Sequence, residues 1–154
     1  MSTFPATRLR RLRRTGALRS LVRETRLDVS DLVYPLFVGP ESLTNEELPA
    51  LGRFSVEDLA REAEELLGLG ISAVILFGIP EDKDDEGSGA YAADGIVQQA
   101  LRALRERYPV LVLITDVCLC AYTSPRHCGV IQAGAVSNDA TLGLLARTAV
   151  SHAE

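Results

Sequence analysis

Three apolar runs constrain what this chain can fold into: Val33-Tyr-Pro-Leu-Phe-Val38, Ala73-Val-Ile-Leu-Phe77 and Val110-Leu-Val-Leu-Ile-Thr-Asp116. A strand wetted on one face alternates apolar with polar residues. These runs are continuous, which predicts strands buried on both faces, as in a parallel sheet covered by helices. Gly39-Pro40 closes the first run and Gly78-Ile-Pro80 the second. Pro35 weakens the first slightly, because proline removes a ladder donor.

Around the runs the apolar period changes to that of a helix. Ser55-Val-Glu-Asp58 offers a capping-box-like start to a helix through Leu67, with Leu59, Ala63, Leu66 and Leu67 as its buried face and Gly68 and Gly70 to stop it. A second helix is predicted from about Asp94 to Tyr108 on the spacing of Ile96, Val97, Ala100, Leu101 and Leu104, ended by Pro109. A third begins near Asn138 or Asp139 and runs to the last residue. The connection from Val117 to Ser137 reads as a long loop without structure of its own, which in a compact domain is usually functional. The order is βα three times over, hence a parallel sheet with right-handed crossovers. Three such units make either a small open α/β sheet or three eighths of a (β/α)8 TIM barrel. With 154 residues the chain falls short of the roughly 250 of a whole barrel. It stops inside a predicted helix at Ser151-His-Ala-Glu154 with no closing glycine or asparagine, which points to truncation.

Charge is distributed unevenly. Residues 1–26 hold eight of the sixteen basic residues and one of the twenty-one acids, Glu24, so this stretch carries +7 and the remainder −12. A basic arm of this kind suits a nucleic-acid tail, a mitochondrial presequence, or a segment that docks on an acidic surface of another subunit. Leu9 and Leu12 alternate with arginines, a pattern closer to a solvated or subunit-bound arm than to a targeting helix. The body, 47% hydrophobic and 24% charged, has the composition of a globular domain. No apolar run reaches membrane-spanning length and no secretory signal is evident, so a cytoplasmic location is expected.

The three cysteines fall within eleven residues, in Asp116-Val-Cys-Leu-Cys-Ala-Tyr-Thr-Ser-Pro-Arg-His-Cys-Gly129. An odd, clustered set favours metal binding or thiol chemistry over a disulfide framework. The stretch begins at the carboxyl end of the third strand, where α/β sheets and barrels build their sites. Cys118 and Cys120, two apart, project to one side of an extended segment, and the seven residues that follow can loop Cys128 back to them. Three thiolates suit zinc and leave a fourth position open to water or substrate. On spacing alone, three buried reduced cysteines or a redox pair remain alternatives. His127 adjoins Cys128 and reads as a group near the metal or substrate more than as a ligand, and His152 as a packing or solvated helix residue. Asp116 is either a carboxylate of the site or the cap of a strand end.

This stretch resembles the metal loop of the zinc-dependent porphobilinogen synthases, also called δ-aminolevulinic acid dehydratases, in its Asp-Val-Cys-Leu-Cys, Tyr-Thr-Ser and His-Cys-Gly segments. Arg10-Arg-Leu-Arg-Arg14, Tyr34-Pro-Leu-Phe-Val38, Leu76-Phe-Gly-Ile-Pro80, Lys83-Asp84 with Gly87-Ser88, Asp94-Gly95 and Asn138-Asp-Ala-Thr-Leu142 agree in the same order. The resemblance implies a TIM-barrel hydro-lyase that condenses two molecules of 5-aminolevulinate to porphobilinogen in tetrapyrrole and haem biosynthesis. It implies Zn2+ on Cys118, Cys120 and Cys128, with Asp116 as an active-site aspartate. It also implies a homo-oligomer, an octamer in the family, assembled through an amino-terminal arm over residues 1–30, with 31–154 as the partial barrel and no nucleic-acid or membrane partner. Pro125-Arg126 and Ala121 depart from the family pattern, which more often has His-Gly and Pro. The two Schiff-base lysines of the family belong to its second half, and the one lysine here, Lys83, sits in an acidic loop. The 154-residue chain is therefore expected to be inactive alone and to leave strand edges and apolar faces uncovered. The alternative is a non-enzymatic zinc-binding module.

Overall fold

The computed structural model describes residues 10–44 and 51–154. Leu9 and the start of the basic arm, and residues 45–50 of the polar loop, lie outside the described residues. The chain divides into two compact units, Met1–Asp31 and Leu32–Glu154.

Among its described residues the first unit holds one short α-helix, α1 (Gly16–Leu21), between two 3-10 turns; its first turn is capped by Thr15, whose Oγ1 accepts from the Leu18 amide at 3.2 Å. None of its described residues is buried. A segment this short and basic has no apolar face from which to build a core of its own.

In the second unit β1 (Val33–Val38), β2 (Arg53–Phe54), β3 (Ala73–Gly78) and β4 (Val112–Thr115) form one parallel sheet in the order β2-β1-β3-β4. β1 and β3 pair along their whole length, Val33 opposite Ala73 and Val38 opposite Gly78. Pro35 costs nothing here. Its nitrogen faces the β2 side, where pairing begins only at Phe37, so no ladder bond is lost.

The helices follow the strands: α2 (Val56–Gly68), α3 (Ile96–Arg107) and α4 (Asn138–Ala153). The Ser55 hydroxyl accepts from the Asp58 amide at 3.1 Å and caps α2 as its sequence predicts. α3 is shorter than predicted. Asp94 remains in a turn and Gly95 is the N-cap, while Leu111 bonds back to the Tyr108 carbonyl and delays β4 to Val112. α2 and α3 bury Leu59, Ala63, Leu66, Val97, Ala100 and Leu104 against Leu36, Val38, Val74 and Leu76. Each fully enclosed leucine here contributes on the order of 2–3 kcal/mol.

The sheet is parallel as predicted, yet only one of its faces is closed. On β3, buried Val74 and Leu76 alternate with partly exposed Ala73, Ile75 and Phe77. Phe77 stacks on Phe37 with centroids 5.2 Å apart, and in the same face Val112 and Ile114 of β4 are 53% and 38% exposed. The expectation of burial on both faces is corrected accordingly. Among the described residues nothing packs over what would be the interior of a barrel. The connection from Val117 to Ser137 is also less irregular than predicted, because Ile131–Gln132 (β5) and Ala135–Val136 (β6) pair as a small antiparallel hairpin. No helix among the described residues is long and apolar enough to cross a membrane.

Candidate metal centre

β4 delivers the chain to the site. The Asp116 amide still bonds to the Leu76 carbonyl at 3.1 Å, and beyond it the backbone leaves the sheet. Leu119 then turns fully inward, into a small core with Ala90 and Tyr122. Its neighbours Cys118 and Cys120 consequently face the other way together, with Sγ atoms 3.4 Å apart. The Leu119 carbonyl accepts from the Tyr122 and Thr123 amides at 2.9 Å, and the Thr123 carbonyl from the Arg126 amide at 2.9 Å. These turns reverse the chain and return Cys128. All three Sγ atoms lie within 4.8 Å of one another, with Cys118 and Cys120 half-buried and Cys128 exposed.

The far limb of the loop is held from α4. Thr141 Oγ1 accepts from the Val130 amide at 3.0 Å and donates to the Ser137 carbonyl at 2.6 Å. Thr123 Oγ1 donates to the His127 carbonyl at 2.9 Å. At the near limb, the Tyr122 hydroxyl reaches the end of β3 so closely that a Cβ on Gly78 would overlap it. Gly78 is there for that approach.

The thiols influence one another strongly. Hydrogen bonding from Cys118, followed by burial, pushes the Cys120 thiol up to about 11. Cys128 is raised as well, chiefly by its hydrogen bond with Cys118. Burial, and then the charge of Asp116, raise the Tyr122 phenol. Cys120 and Cys128 therefore keep their protons at neutral pH, and a thiophilic divalent ion would have to displace them.

Asp116 is half-buried at the strand end, on the same loop as the triad. His127 is not part of the thiol cluster; its Nδ1 accepts from the Gly129 amide at 3.1 Å, which places the ring proton of a neutral imidazole on Nε2. His152 packs at the far end of α4, Nδ1 against Thr115 Oγ1 at 3.1 Å, with Nε2 buried and without a hydrogen-bond partner. Lys83 is exposed in its loop, and its ammonium donates to the Ala121 carbonyl. The contacts of Lys83 and Thr141 with this loop, and the bond of Thr123 across it, do not follow from the sequence pattern. Their contacts span between 4 and 38 residues of sequence, and no local pattern marks them.

The family model for delta-aminolevulinic acid dehydratase matches residues 6–154. Among curated relatives, the delta-aminolevulinic acid dehydratase of Halalkalibacterium halodurans is 50% identical over 150 residues, covering 96% of this chain and 46% of its own length. That of Methanothermus sociabilis is 47% identical over 154 residues, covering 98% of this chain and 48% of its own. The chain thus spans about half the length of the curated relatives it matches. Among solved structures, the crystal structure of the delta-aminolevulinic acid dehydratase (porphobilinogen synthase) of Toxoplasma gondii ME49, in complex with the reaction product porphobilinogen, superposes with a TM-score of 0.89 at 37% identity. It covers 96% of this chain and 44% of that one.

Proposed function

Because this chain belongs to the delta-aminolevulinic acid dehydratase family, we propose that it is the metal-holding part of a porphobilinogen synthase, a hydro-lyase that condenses two molecules of 5-aminolevulinate in tetrapyrrole and haem biosynthesis. The observation that carries this reading is the convergence of three thiols within 4.8 Å at the carboxyl end of β4. A tetrahedral zinc–thiolate site, with Zn–S of about 2.3 Å, sets its sulfurs about 3.8 Å apart, a spacing compatible with the 3.4 Å between Cys118 and Cys120. Cys118, Cys120 and Cys128 would hold Zn2+, which when bound supplies Lewis acidity at an open position. Asp116 orients the substrate amine or holds its proton. Tyr122 and Leu119 keep the base of the loop dry. The arm over residues 1–30 docks on a neighbouring subunit of a homo-oligomer, in the cytoplasm, and residues 31–154 are the barrel portion.

Covalent catalysis by an amine requires a desolvated lysine. Lys83, the one lysine in the sequence, is exposed and bonded to a backbone carbonyl, so the 154-residue polypeptide does not turn over 5-aminolevulinate alone. The test is zinc content by mass spectrometry together with a porphobilinogen assay, on this polypeptide and on one lengthened to the size of the relatives. One zinc per chain, lost when the cysteines are replaced, with activity confined to the longer protein, is the expected result. Zinc binding with no activity at either length would favour a non-enzymatic zinc-binding module. Turnover by the short chain would overturn the account of its lysine.

A further inference from the structure

Lys83 lies among Asp82, Asp84, Asp85 and Glu86, yet among the described residues none of these acids closes an ion pair with it. Its ammonium goes instead to the carbonyl of Ala121, the residue after Cys120. Asp84 continues the same line. Its amide donates to the Tyr122 carbonyl at 3.2 Å, and its carbonyl accepts from the Ser124 amide at 2.8 Å, so that Asp84 and Thr123 form an isolated parallel bridge. Two adjacent residues of the loop after β3 thus bind the backbone of the loop after β4 at Ala121, Tyr122 and Ser124, within the segment that joins Cys120 to Cys128.

The loop that supplies these bonds is itself braced. The Asp84 carboxylate accepts from the Glu86 amide at 2.9 Å, from the Ser88 amide at 3.0 Å and from the Ser88 hydroxyl. The Ser88 hydroxyl is the first cause that lowers its pKa, so the carboxylate stays charged. Gly87, at φ +65, presses against the other loop closely enough that a Cβ would stand 3.2 Å from Thr123 Cγ2 and 3.3 Å from Tyr122 Cβ. Tyr122 and Thr123 anchor this stretch by burial of their side chains, and the lacing adds the backbone hydrogen bonds that tie Ala121, Tyr122 and Ser124 to another loop. A flexible seven-residue spacer between two ligands must lose its freedom each time the metal binds.

We propose that Lys83 and Asp84 are positioning residues of the metal centre: they clamp the segment between Cys120 and Cys128 so that the three thiols are brought together before any ion arrives. This rests on the reading of the triad as a metal site. Outer partners of metal ligands typically contribute about 10- to 100-fold to affinity, and the clamp is expected to act at the lower end of that range.

Cobalt serves as the probe, its affinity read by competition with a chelator and its thiolate ligation by the charge-transfer absorption. Lys83→Met should weaken cobalt binding about tenfold and broaden the absorption, while Lys83→Arg, which can still donate to the Ala121 carbonyl, should restore both. Hydrogen exchange at the amides of β3 should be the same in all three proteins, which separates loss of the clamp from loss of the fold. A second arm uses metal-free protein. Alkylation of half-buried Cys118 and Cys120 should be several-fold faster in Lys83→Met than in the native chain. If the native chain binds no cobalt, the metal reading fails and the alkylation arm alone decides the clamp. Unchanged alkylation there, or unchanged cobalt affinity in a chain that does bind it, would overturn the proposal.

Discussion

Arg126 has φ +56 and Ala133 φ +50, values that glycine tolerates and other residues adopt at a cost of roughly 1–2 kcal/mol. Arg126 stands where the resemblance more often has glycine, directly before His127 and Cys128, and it follows the turn that its amide closes on the Thr123 carbonyl. Arg126→Gly should therefore relieve strain, offset in part by about 0.5–1 kcal/mol of added freedom in the unfolded chain. The net expectation is a gain of up to about 1 kcal/mol in unfolding free energy, read as a higher urea midpoint; a loss would mean that the guanidinium makes a compensating contact. At the triad, the raised Cys120 and Cys128 thiols set the sign of a pH effect. Protons held at neutral pH must leave when a divalent ion binds. Apparent affinity should then climb with pH between 6.5 and 8, by up to about tenfold per unit for each proton released. Chelator competition across that window checks it, and a flat profile would mean that the ion binds elsewhere.

β1, β3 and α2 fall where local pattern places them, because the period of apolar residues and the Ser55 cap are properties of a few neighbouring positions. The hairpin of β5 and β6 does not show in the sequence: its strands are two residues long and an alanine, not an asparagine, occupies the first left-handed position of its turn. The three thiols could be brought together on paper because they share one loop. The clamp from Lys83 and Asp84 could not, since sequence pattern carries no information about which two loops a sheet sets side by side. α4 itself lies where the sequence predicts a helix, but its placement on the sheet belongs to the same class. Its register on the sheet depends on His152 meeting Thr115, 37 residues away, and on the Gln98 amide donating to Ala90 and Ser151. Burial lowers the His152 pKa from 6.5, against smaller opposing contributions from the Ala90 carbonyl and Asp116. The fold thus favours the neutral ring; the stability it contributes is present above about pH 6.5 and is lost as pH falls through the depressed value. His152→Asn, which does not titrate, should flatten the fall in unfolding midpoint between pH 6.5 and 5. An identical slope in both proteins would place the acid sensitivity elsewhere.

At the scale of the whole molecule the sheet has an unpaired margin. β4 pairs with β3 on one side, and among the described residues no strand lies on its other side. In a parallel ladder alternate amides point to opposite neighbours. The Val112 amide bonds to the Ser72 carbonyl at 2.9 Å and the Asp116 amide to the Leu76 carbonyl at 3.1 Å, so Ile114 between them also faces β3. Leu113 and Thr115 then direct their amides outward. The same margin carries Val110 at 78% exposure and the open face of Val112 and Ile114, an arrangement that soluble sheets generally cover or blunt. Amide hydrogen exchange at low protein concentration should separate the two sets. Val112, Ile114 and Asp116 should exchange on the order of a hundredfold more slowly than Leu113 and Thr115, because the former require the sheet to open and the latter do not. In the protein lengthened to the size of the relatives, Leu113 and Thr115 should join the slow set as the margin acquires a neighbour, while the protection of Val112 changes little. Slow exchange of Leu113 and Thr115 in the short chain, appearing only as its concentration is raised, would show instead that copies of the chain cover the strand themselves.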